Sequence, residues 1–436
     1  MPGTPLLFDA VVFDLDGTLV ATDRFWVDAA RAGARKAFTE LGIEHAMPTA
    51  QEWLSLVGLP LARGFDSLFA DLPARERELV RRRCEEEEQN ALRAGQAALL
   101  PGVEETLETL RERSVKLGIA SNCGQDYLDA MMKGLGLERW IEEARCLDSP
   151  GARSKAGMIG DLVEAFGTRA AVMVGDRLGD RDAAWENGLP HVHLSRGFAQ
   201  PGEEVPCEAT IDELLQLVPR LERRARWIES ALVASGFLGS GPARFRSAGG
   251  TLGITGHSGS GKSLFARDCA ALLAAHGVRS AILGIDSFPR NGITEEDLTS
   301  TGFWSIDRPL EHLERAYDLE SLARDVLAPH RRGEPVQVER HGVRIGIAAD
   351  DVLLLHGSFL LHPRLREQLD RVIHLEVSEG QSLRRIAGRD ARRRGPESLL
   401  AVRRHHLPTQ RAFDELVKPS EHADLVLDAE NALGPG

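Results

Sequence analysis

Two short polar motifs each follow a run of apolar residues, one near the start of the chain and one past its middle. The first is Asp14-Leu15-Asp16-Gly17-Thr18-Leu19, after Ala10–Phe13, and the second is Gly256–Ser263, after Thr251–Thr255. Short apolar runs are typical of buried parallel strands, and open parallel sheets gather ligands at the carboxyl ends of their strands. The two motifs therefore predict two α/β units, and a chain of 436 residues is long enough for both.

The composition favours a globular protein in a reducing compartment. Hydrophobic residues make up 42% of the chain and charged residues 27%, and we find no apolar stretch near the ~20 residues that span a bilayer. The first residues lack the basic and apolar regions of a secretory signal. The cysteines form no C-x-x-C pair, which argues against a disulfide framework or structural zinc; they are Cys84, Cys123, Cys146, Cys207 and Cys269. We therefore expect a cytoplasmic protein without a membrane segment.

The formal net charge of −13 bears on the partners of the protein. Proteins that bind long nucleic acids through the phosphate backbone usually present a basic surface. A global excess of acid leaves room for a local basic groove but makes nucleic acid an unlikely partner. We expect small-molecule substrates instead.

Strands and helices alternate on both sides of a segment rich in glycine, serine and proline. The patterns predict strands at 6–13, 116–120, 170–174, 191–194, 251–255, 280–285, 352–355 and 372–376, and closing helices at 211–218 and 220–234. The fold class is α/β, with two doubly wound, Rossmann-like parallel sheets. The predicted domains are 1–220, with a helical insert at about 20–98, and 249–436, joined by a helical and Gly/Ser-rich linker at 221–248.

The first motif has the residues needed to remove a phosphoryl group. Asp14 and Asp16 flank one residue at the end of a strand, so both carboxylates can share a Mg²⁺ that offsets their repulsion. Asp14 is then the nucleophile that forms an aspartyl phosphate, and Asp16 protonates the leaving oxygen and later activates water. Thr18 supplies a hydroxyl near the phosphate.

Three further elements occur downstream in the order that this chemistry needs. Ser121 ends a strand with a hydroxyl for the phosphate, Lys155 lies in a loop before a helix, and Asp176 and Asp180 follow another strand and complete the metal shell. Taken alone, an Asp pair is usually a turn and a single lysine is usually solvated surface. The ordered set predicts a phosphatase site with Mg²⁺ held by Asp14, Asp16, Asp176 and Asp180.

These residues resemble the four motifs of the haloacid dehalogenase-like superfamily, over about residues 6–220. Asp14 and Asp16 match the first motif, Ser121 the second, Lys155 the third, and Asp176 with Asp180 the fourth. The resemblance implies that the helical insert is a C1-type cap, as in phosphoglycolate-phosphatase-like members, and that it covers the site and selects a small substrate. The presence of Asp16 favours phosphate chemistry over dehalogenation.

The second motif fits G-x-x-x-x-G-K-S and predicts an ATP site. Backbone amides of such a loop surround phosphates, the lysine reaches the terminal phosphate oxygens, and the serine ligates Mg²⁺. The expected ATP-binding residues in the loop are Gly256, Ser258, Gly259, Ser260, Gly261, Lys262 and Ser263. Asp286 follows a predicted strand, which places it near the phosphates. It is expected to accept a proton from the acceptor hydroxyl or to bind Mg²⁺ through water, or alternatively to cap a helix or turn. The arginine-rich stretch with Arg389 and Arg394 predicts a lid over the phosphates, or alternatively a solvated basic helix or a nucleic-acid-binding patch.

This half resembles the uridine kinase/phosphoribulokinase family over about residues 249–428. The resemblance rests on the glycine loop, Asp286-Ser287-Phe288, the strand that runs into Gly357-Ser358-Phe359, and the arginine lid, and it implies a P-loop NTPase fold. Two departures concern the acceptor region. His356 stands where the family usually has Glu, and the Pro-x-Tyr-Asp segment expected after Gly333–Arg340 is missing. His356 is an acceptor-site or metal-proximal residue, or alternatively a histidine with a structural role at a strand end.

The residues thus predict a bifunctional enzyme with Mg²⁺ and ATP as cofactors. Its N-terminal half removes phosphate from a small phosphate ester, and its C-terminal half phosphorylates a hydroxyl of a small metabolite such as a nucleoside or sugar. One alternative is a polynucleotide 5′-kinase/3′-phosphatase of nucleic-acid end repair, which has the same order of activities. Another alternative is that one half serves only as a ligand sensor.

Overall fold

The computed structural model divides the chain into two compact units, residues 8–221 and residues 1–7 with 222–436. It describes residues 4–151, 154–241, 245, 250–290, 309–340, 343–394, 399–400 and 402–430. We call the two units the N-terminal and the C-terminal unit. Among the described residues, no helix combines the length and the apolar character needed to cross a membrane.

The N-terminal unit is built on a parallel sheet of six strands in the order β3-β2-β1-β4-β5-β6. The strands are β1 (Ala10–Phe13), β2 (Lys116–Ala120), β3 (Glu143–Arg145), β4 (Ala171–Gly175), β5 (His191–Leu194) and β6 (Ala209–Ile211). Phe13 at the end of β1 pairs with Ile119 on one side and Val174 on the other. The residues after β1, β2 and β4 therefore meet at one edge of the sheet, as the sequence predicts.

Four helices lie between β1 and β2 and form the predicted helical insert. They are α1 (Trp26–Leu41), α2 (Ala50–Ser55), α3 (Leu61–Leu68) and α4 (Ala74–Arg93), preceded by a 3₁₀ turn at Thr22–Arg24. The insert has an aromatic core in which Trp53, Phe65 and Phe69 are in mutual ring contact and fully buried. Cys84 of α4 donates a hydrogen bond to the carbonyl of Ala30 in α1, which fixes the two long helices side by side.

The other helices of this unit connect its strands. They are α5 (Val103–Glu112), α6 (Gln125–Gly134), α7 (Lys155–Phe166), α8 (Leu178–Glu186) and the 3₁₀ turns Leu137–Arg139 and Leu214–Gln216. The predicted helix at 211–218 begins too early, because Ala209–Ile211 pairs with β5 as an edge strand and helical structure starts only at Leu214. Ala209 and Ile211 are buried while Thr210 is exposed, which is the alternation of a strand with one covered face.

The C-terminal unit has a five-stranded parallel sheet in the order β13-β12-β7-β11-β8. These strands are β7 (Thr251–Gly256), β8 (Ser280–Gly284), β11 (Val352–His356), β12 (Arg371–Glu376) and β13 (Leu425–Asp428). The sequence predicts the first four of them and misses β13. It also misses an antiparallel hairpin formed by β9 (Val336–Arg340) and β10 (Val343–Ile347). Its first strand lies within Gly333–Arg340, which directly precedes the position of the missing Pro-x-Tyr-Asp segment.

Helices pack on the C-terminal sheet around two apolar cores. They are α10 (Lys262–Ala275), Pro309–Ala316, Leu319–Ser321, Ala328–Arg331, Pro363–Arg366, Glu379–Arg394, Leu407–Val417 and Pro419–His422, with a 3₁₀ turn at Ile285–Ser287 and π-helical turns at Leu322–Leu327 and Val402–His406.

The helical part of the predicted linker belongs to the core of the C-terminal unit. Helix α9 (Leu217–Ala234) contributes Ala225, Ile228 and Leu232 to one of the two apolar cores. Arg224 of α9 forms a 2.8 Å ion pair with Asp268 of α10, and both side chains are fully buried. Breaking one side of such a buried pair costs about 3–5 kcal/mol. Residues 242–244 and 246–248 of the predicted linker lie outside the described residues.

Candidate functional site

Three buried carboxylates meet at the carboxyl edge of the N-terminal sheet. Asp14 follows β1, Asp176 follows β4, and Asp180 lies in the first turn of α8. One carboxylate oxygen from each lies within 4.8 Å of the other two, and all three side chains are fully buried. The amide of Asp14 donates a 2.9 Å hydrogen bond to the Val174 carbonyl, which ties the end of β1 to the end of β4.

Lys155 joins this carboxylate group. It is the first residue of α7 rather than a residue of the preceding loop, and Ser154 caps the helix by accepting a hydrogen bond from the Gly157 amide. The Lys155 ammonium lies 2.7 Å from Asp14 Oδ1 and also contacts Asp180 Oδ1. The structure therefore brings together Asp14, Lys155, Asp176 and Asp180, which are separated by up to 166 positions in the sequence.

The acidic charge of this group exceeds its basic charge, and the pKa values reflect the excess. Burial raises the pKa of Asp14 to about 7 despite the neighbouring Lys155. Burial, with the charges of Asp14 and Asp180, also raises the pKa of Asp176 well above its usual value. For Asp180 burial acts in the same direction, but Lys155 and other partners outweigh it and lower the pKa. Desolvated carboxylates with one ammonium among them are poised to bind a further cation.

The residues present fit a divalent metal ion. Asp14 Oδ2 is buried and has no hydrogen-bond partner, although the other oxygen of the same carboxylate is bound to Lys155. Gly17 approaches the group closely: its φ is +77°, and a Cβ at this position would lie 2.6 Å from Asp176 Oδ2. Oxygen ligands of this kind suit Mg²⁺. Thr18 is buried beside them, with its hydroxyl 3.5 Å from Asp176 Oδ1.

Asp16 is not part of the three-carboxylate group found among the described residues, and its role as a further metal ligand stays a prediction. Its Oδ1 accepts hydrogen bonds of 2.6 Å from the Thr22 hydroxyl and 2.5 Å from the Tyr127 hydroxyl. Burial raises the pKa of Asp16, and these two hydrogen bonds partly oppose the rise. A carboxyl with a raised pKa that lines a pocket suits a general acid.

The carboxyl group of Asp16 faces a pocket between the sheet edge and the helical insert. The pocket is lined by Asp16, Thr22, Trp26, Leu56, Val57, Gly58, Leu59, Leu61, Glu88, Ser121, Asn122, Cys123, Gly124 and Tyr127. Ser121, which directly follows β2, is thus brought to the site as predicted. The loop between α2 and α3 closes the pocket. Its Gly58 carbonyl accepts from Asn122 (3.0 Å) and its Val57 carbonyl accepts from Arg177 (2.6 Å).

In the C-terminal unit, the segment Gly256–Ser263 runs from the last residue of β7 into the first turn of α10. Lys262 donates to the carbonyls of Gly256 (2.9 Å) and His257 (2.7 Å). Burial lowers the pKa of Lys262 to about 8. Gly259 has a φ of +79°, and a Cβ there would lie 2.7 Å from the Ser382 carbonyl, so this position requires glycine.

Other side chains of the C-terminal unit hold this loop. Ser258 exchanges two hydrogen bonds of 2.9 Å with the Gln410 amide group, and His257 lies 2.8 Å from Asp414. Ser260 is buried and its hydroxyl has no partner, whereas Ser263 is exposed. The exposed hydroxyl and the glycine-bearing turn, with Gly261 at φ +89°, leave the loop open to a ligand.

Asp286, His356 and Arg389 lie near Lys262. Strand register pairs His356 with Gly284 of β8 and with Ile254 of β7, so these strand ends share one edge. The charge of Asp286 raises the pKa of Lys262, and the charge of Arg389 lowers it. Burial and Lys262 both lower the pKa of His356. The side chain of Arg394, predicted to face the phosphates, lies outside the described residues.

Sequence reasoning misses several groups around both sites. Thr22 and Tyr127 hold Asp16, and the Phe198 amide donates to Asp176 Oδ2. In the C-terminal unit, Tyr317 donates a 2.9 Å hydrogen bond to Asp286. Glu88 of the helical insert is 6% exposed and lines the pocket. None of these residues carries a motif, because their positions follow from tertiary packing.

Each of the following matches to known proteins covers slightly less than half of this chain. Residues 11–193 match the family described as haloacid dehalogenase-like hydrolase. A phosphoglycolate phosphatase of Synechococcus elongatus is 31% identical over 222 residues, which are 49% of this chain and 99% of the relative. One of Agrobacterium fabrum is 27% identical over 227 residues, 48% of this chain and 91% of the relative. The solved structure of a haloacid dehalogenase-like family hydrolase from Streptococcus pneumoniae is 22% identical, with a TM-score of 0.43, and the match covers 49% of this chain and 98% of that one.

Proposed function

Because the chain belongs, through residues 11–193, to the haloacid dehalogenase-like hydrolase family, we propose that its N-terminal unit is a Mg²⁺-dependent phosphatase of a small phosphate ester. The observation that carries the proposal is Asp14, whose Oδ1 is bound to Lys155 while its Oδ2 is buried without a partner. A carboxylate with one oxygen fixed and the other free is oriented for attack. The relatives named phosphoglycolate phosphatase support a phosphate monoester as the substrate class.

In the first step, Asp14 Oδ2 attacks the phosphorus atom and the bond from phosphorus to the ester oxygen breaks. The leaving oxygen takes its proton from Asp16, whose raised pKa favours the protonated form. Because Thr22 and Tyr127 occupy Oδ1 of Asp16, Oδ2 is the oxygen that carries this proton. The products of the step are a free alcohol and an aspartyl phosphate at Asp14.

In the second step, water replaces the alcohol in the pocket. Asp16, now ionised, removes a proton from this water, and the oxygen attacks the aspartyl phosphate. The acyl phosphate bond breaks, inorganic phosphate leaves, and Asp14 is a carboxylate again. Ser121 lines the pocket beside Asp16, and its hydroxyl is suited to hold a phosphate oxygen in both steps.

Asp14, Asp176 and Asp180 would hold the Mg²⁺. When bound, this ion neutralises phosphate charge and offsets the repulsion between the carboxylates. Lys155 fixes Asp14 and Asp180 in this arrangement. We assign it to positioning the nucleophile and to balancing charge.

We further propose that the C-terminal unit is an ATP-dependent kinase of a small metabolite hydroxyl. Support comes from Lys262 at the start of α10, with only carbonyl partners, and from Asp286 and Arg389 close to it. The loop residues from Gly256 to Ser263 would hold the nucleotide and its Mg²⁺. Asp286, exposed and oriented by Tyr317, would accept the proton of the acceptor hydroxyl.

Parallel assays on one preparation of the full chain test both proposals. Phosphate release is measured on a panel of sugar, nucleoside and polyol phosphates, and ATP consumption is measured with their dephosphorylated forms. We expect Mg²⁺-dependent phosphate release without ATP, and ATP consumption that requires an acceptor. Absence of any phosphate release would contradict the phosphatase. Efficient labelling of a 5′-hydroxyl oligonucleotide from ATP would replace the small-metabolite kinase with nucleic-acid end repair.

A further inference from the structure

Glu88 places an unpaired carboxyl group in the pocket beside Asp16. Its side chain is 6% exposed and lines the pocket, and the described residues give it no hydrogen-bond or ion-pair partner. Its neighbours on α4 differ in this respect, since Glu85 pairs with Arg81, Glu86 with Arg83 and Glu87 with Lys36. Burying an unpaired carboxyl costs free energy, and a substrate group that forms a hydrogen bond with Glu88 would offset this cost.

Among the described residues, no cationic side chain lines the pocket to offset this charge. Its lining has two carboxyl groups, Asp16 and Glu88, and neither lysine, arginine nor histidine. Arg177 holds the rim of the pocket at Val57, but its guanidinium is bound to Glu203 at 3.1 Å. Lys155 is bound to Asp14 and Asp180. Burial, followed by the charge of Asp16, raises the pKa of Glu88 well above its usual value, which favours its protonated form.

We infer that Glu88 determines substrate specificity by accepting a hydrogen bond from a hydroxyl or amino group at the non-phosphate end of the substrate, and that it disfavours a carboxylate there. The inference rests on the proposed phosphatase and names the substrate class of that same site. A substrate carboxylate beside Glu88 loses its water without gaining a cationic partner from the described lining. An ionised Glu88 repels it, and a protonated Glu88 offers it only one hydrogen bond. A neutral or cationic hydrogen-bond donor avoids this cost because either form of the Glu88 carboxyl can accept from it.

Phosphoglycolate, the substrate in the names of the relatives, is disfavoured as a substrate of this chain. Phosphoglycolate carries a carboxylate at the end opposite its phosphate, and the described pocket offers that carboxylate no cationic partner. Asp16 and Ser121 lie at the phosphate end in the proposed mechanism, whereas Glu88 belongs to the helical insert. In the proposed mechanism the phosphate end and the far end of the substrate therefore meet residues from different elements of the N-terminal unit.

Three esters with the same two-carbon skeleton test the inference on the full-length protein with Mg²⁺. They are 2-phosphoglycolate, 2-hydroxyethyl phosphate and O-phosphoethanolamine, which differ only in the group at the far end. Values of kcat and KM are measured for each, with 4-nitrophenyl phosphate as a general substrate. We expect kcat/KM for the hydroxyl and amino esters to exceed that for phosphoglycolate by about 10²-fold.

Glu88→Gln removes the ionisable group at nearly constant shape, and Glu86→Gln on the exposed face of the same helix is the matched control. We expect Glu88→Gln to reduce the discrimination against phosphoglycolate by about 10-fold or more, mainly through KM. Glu86→Gln should leave the ratios unchanged. The comparison of esters in the unmodified protein does not depend on either variant folding.

The outcomes distinguish the inference from the function on which it rests. Equal or better hydrolysis of phosphoglycolate, or ratios that Glu88→Gln leaves unchanged, would overturn the inference. Turnover of 4-nitrophenyl phosphate that depends on Asp14, without discrimination among the three esters, would overturn the inference alone. No turnover of any ester, including 4-nitrophenyl phosphate, would overturn the phosphatase proposal together with the inference.

Discussion

The N-terminal and C-terminal units each hold one lysine at their candidate site, and the two lysines have opposite partners. Lys155 is bound to the carboxylates of Asp14 and Asp180, and these carboxylates outweigh burial and raise its pKa. Lys262 is bound to the backbone carbonyls of Gly256 and His257, and burial lowers its pKa to about 8.

The difference indicates which charge each site lacks. Around Lys155 three carboxylates remain for one ammonium, so that site is short of positive charge and fits a divalent cation. Within the part of the chain that the structure describes, the hydrogen-bond partners of Lys262 are neutral carbonyls. Burial works against its charge, so that site fits an anion such as the phosphates of a nucleotide. The two proposals therefore rest on opposite electrostatic grounds and can fail separately.

The largest expected effect separates the two activities. Asp14→Asn removes the attacking oxygen anion, and we expect phosphate release from 4-nitrophenyl phosphate to fall by a factor on the order of 10⁴ or more, with ATP consumption unchanged. Asp129→Asn, at an exposed position of α6, is the control. Phosphatase activity that survives in Asp14→Asn would show that another group is the nucleophile.

The converse variant is Lys262→Met. Loss of the ammonium that meets the terminal phosphates should lower ATP consumption by about 10²–10³-fold and leave phosphate release intact. Nucleotide affinity should also be highest below pH 8 and decrease above it, because binding favours the ammonium and free Lys262 loses its proton at about pH 8. Isothermal titration from pH 6.5 to 9.5 measures this trend, and an affinity that rises over that range would contradict it.

The two lysines should also differ in their contribution to stability. Lys155→Met leaves three buried carboxylates without their ammonium, and we expect a loss of about 3–5 kcal/mol in the free energy of unfolding. Lys262→Met removes a lysine with neutral partners and should cost less than about 1 kcal/mol. Urea denaturation of the full chain measures both.

Addition of Mg²⁺ sharpens this comparison. We expect Mg²⁺ to raise the melting temperature of Lys155→Met more than that of Lys262→Met, because the cation replaces the lost charge only in the N-terminal unit. The absence of any Mg²⁺-induced rise in the melting temperature of both variants would show that the carboxylate group does not bind the ion.

A smaller effect concerns acid stability of the C-terminal unit. His374 of β12 is 6% exposed, and burial lowers its pKa to about 4. Because the unfolded chain takes up the proton first, near pH 6.5, this histidine should reduce stability progressively as the pH falls from about 6.5 to about 4, by up to about 3 kcal/mol. His374→Asn should remove this part of the pH dependence, whereas exposed His422→Asn should not. Identical acid-denaturation curves for the two variants would contradict the assignment.

The sequence predicts the site residues at the ends of strands better than it predicts the residues that pack around those site residues. Asp14, Ser121, Asp176 and Lys262 follow directly from an apolar strand and a polar turn, which are local patterns. Tyr127 and Glu88 lie on helices whose sequence shows only amphipathic spacing, so their approach to Asp16 depends on how the insert packs on the sheet.

The wrong prediction for Ile211 and the missed packing of helix α9 have the same cause. Ile211 reads as the start of a helix, yet it pairs with β5 because an open sheet edge is available there. Helix α9 reads as part of a linker, yet Arg224 is buried against Asp268. In both cases a long-range partner decides the structure, and local propensity carries no information about that partner.

The most direct test of the account is to capture the covalent intermediate at Asp14. The protein is quenched with acid during turnover of 4-nitrophenyl phosphate with Mg²⁺, treated with borohydride to reduce any acyl phosphate, and digested for peptide mass spectrometry. The account predicts reduction at Asp14 only, dependent on substrate and absent in Asp14→Asn. Steady turnover with an unmodified Asp14, or with reduction at Asp16 or Asp176, would contradict it.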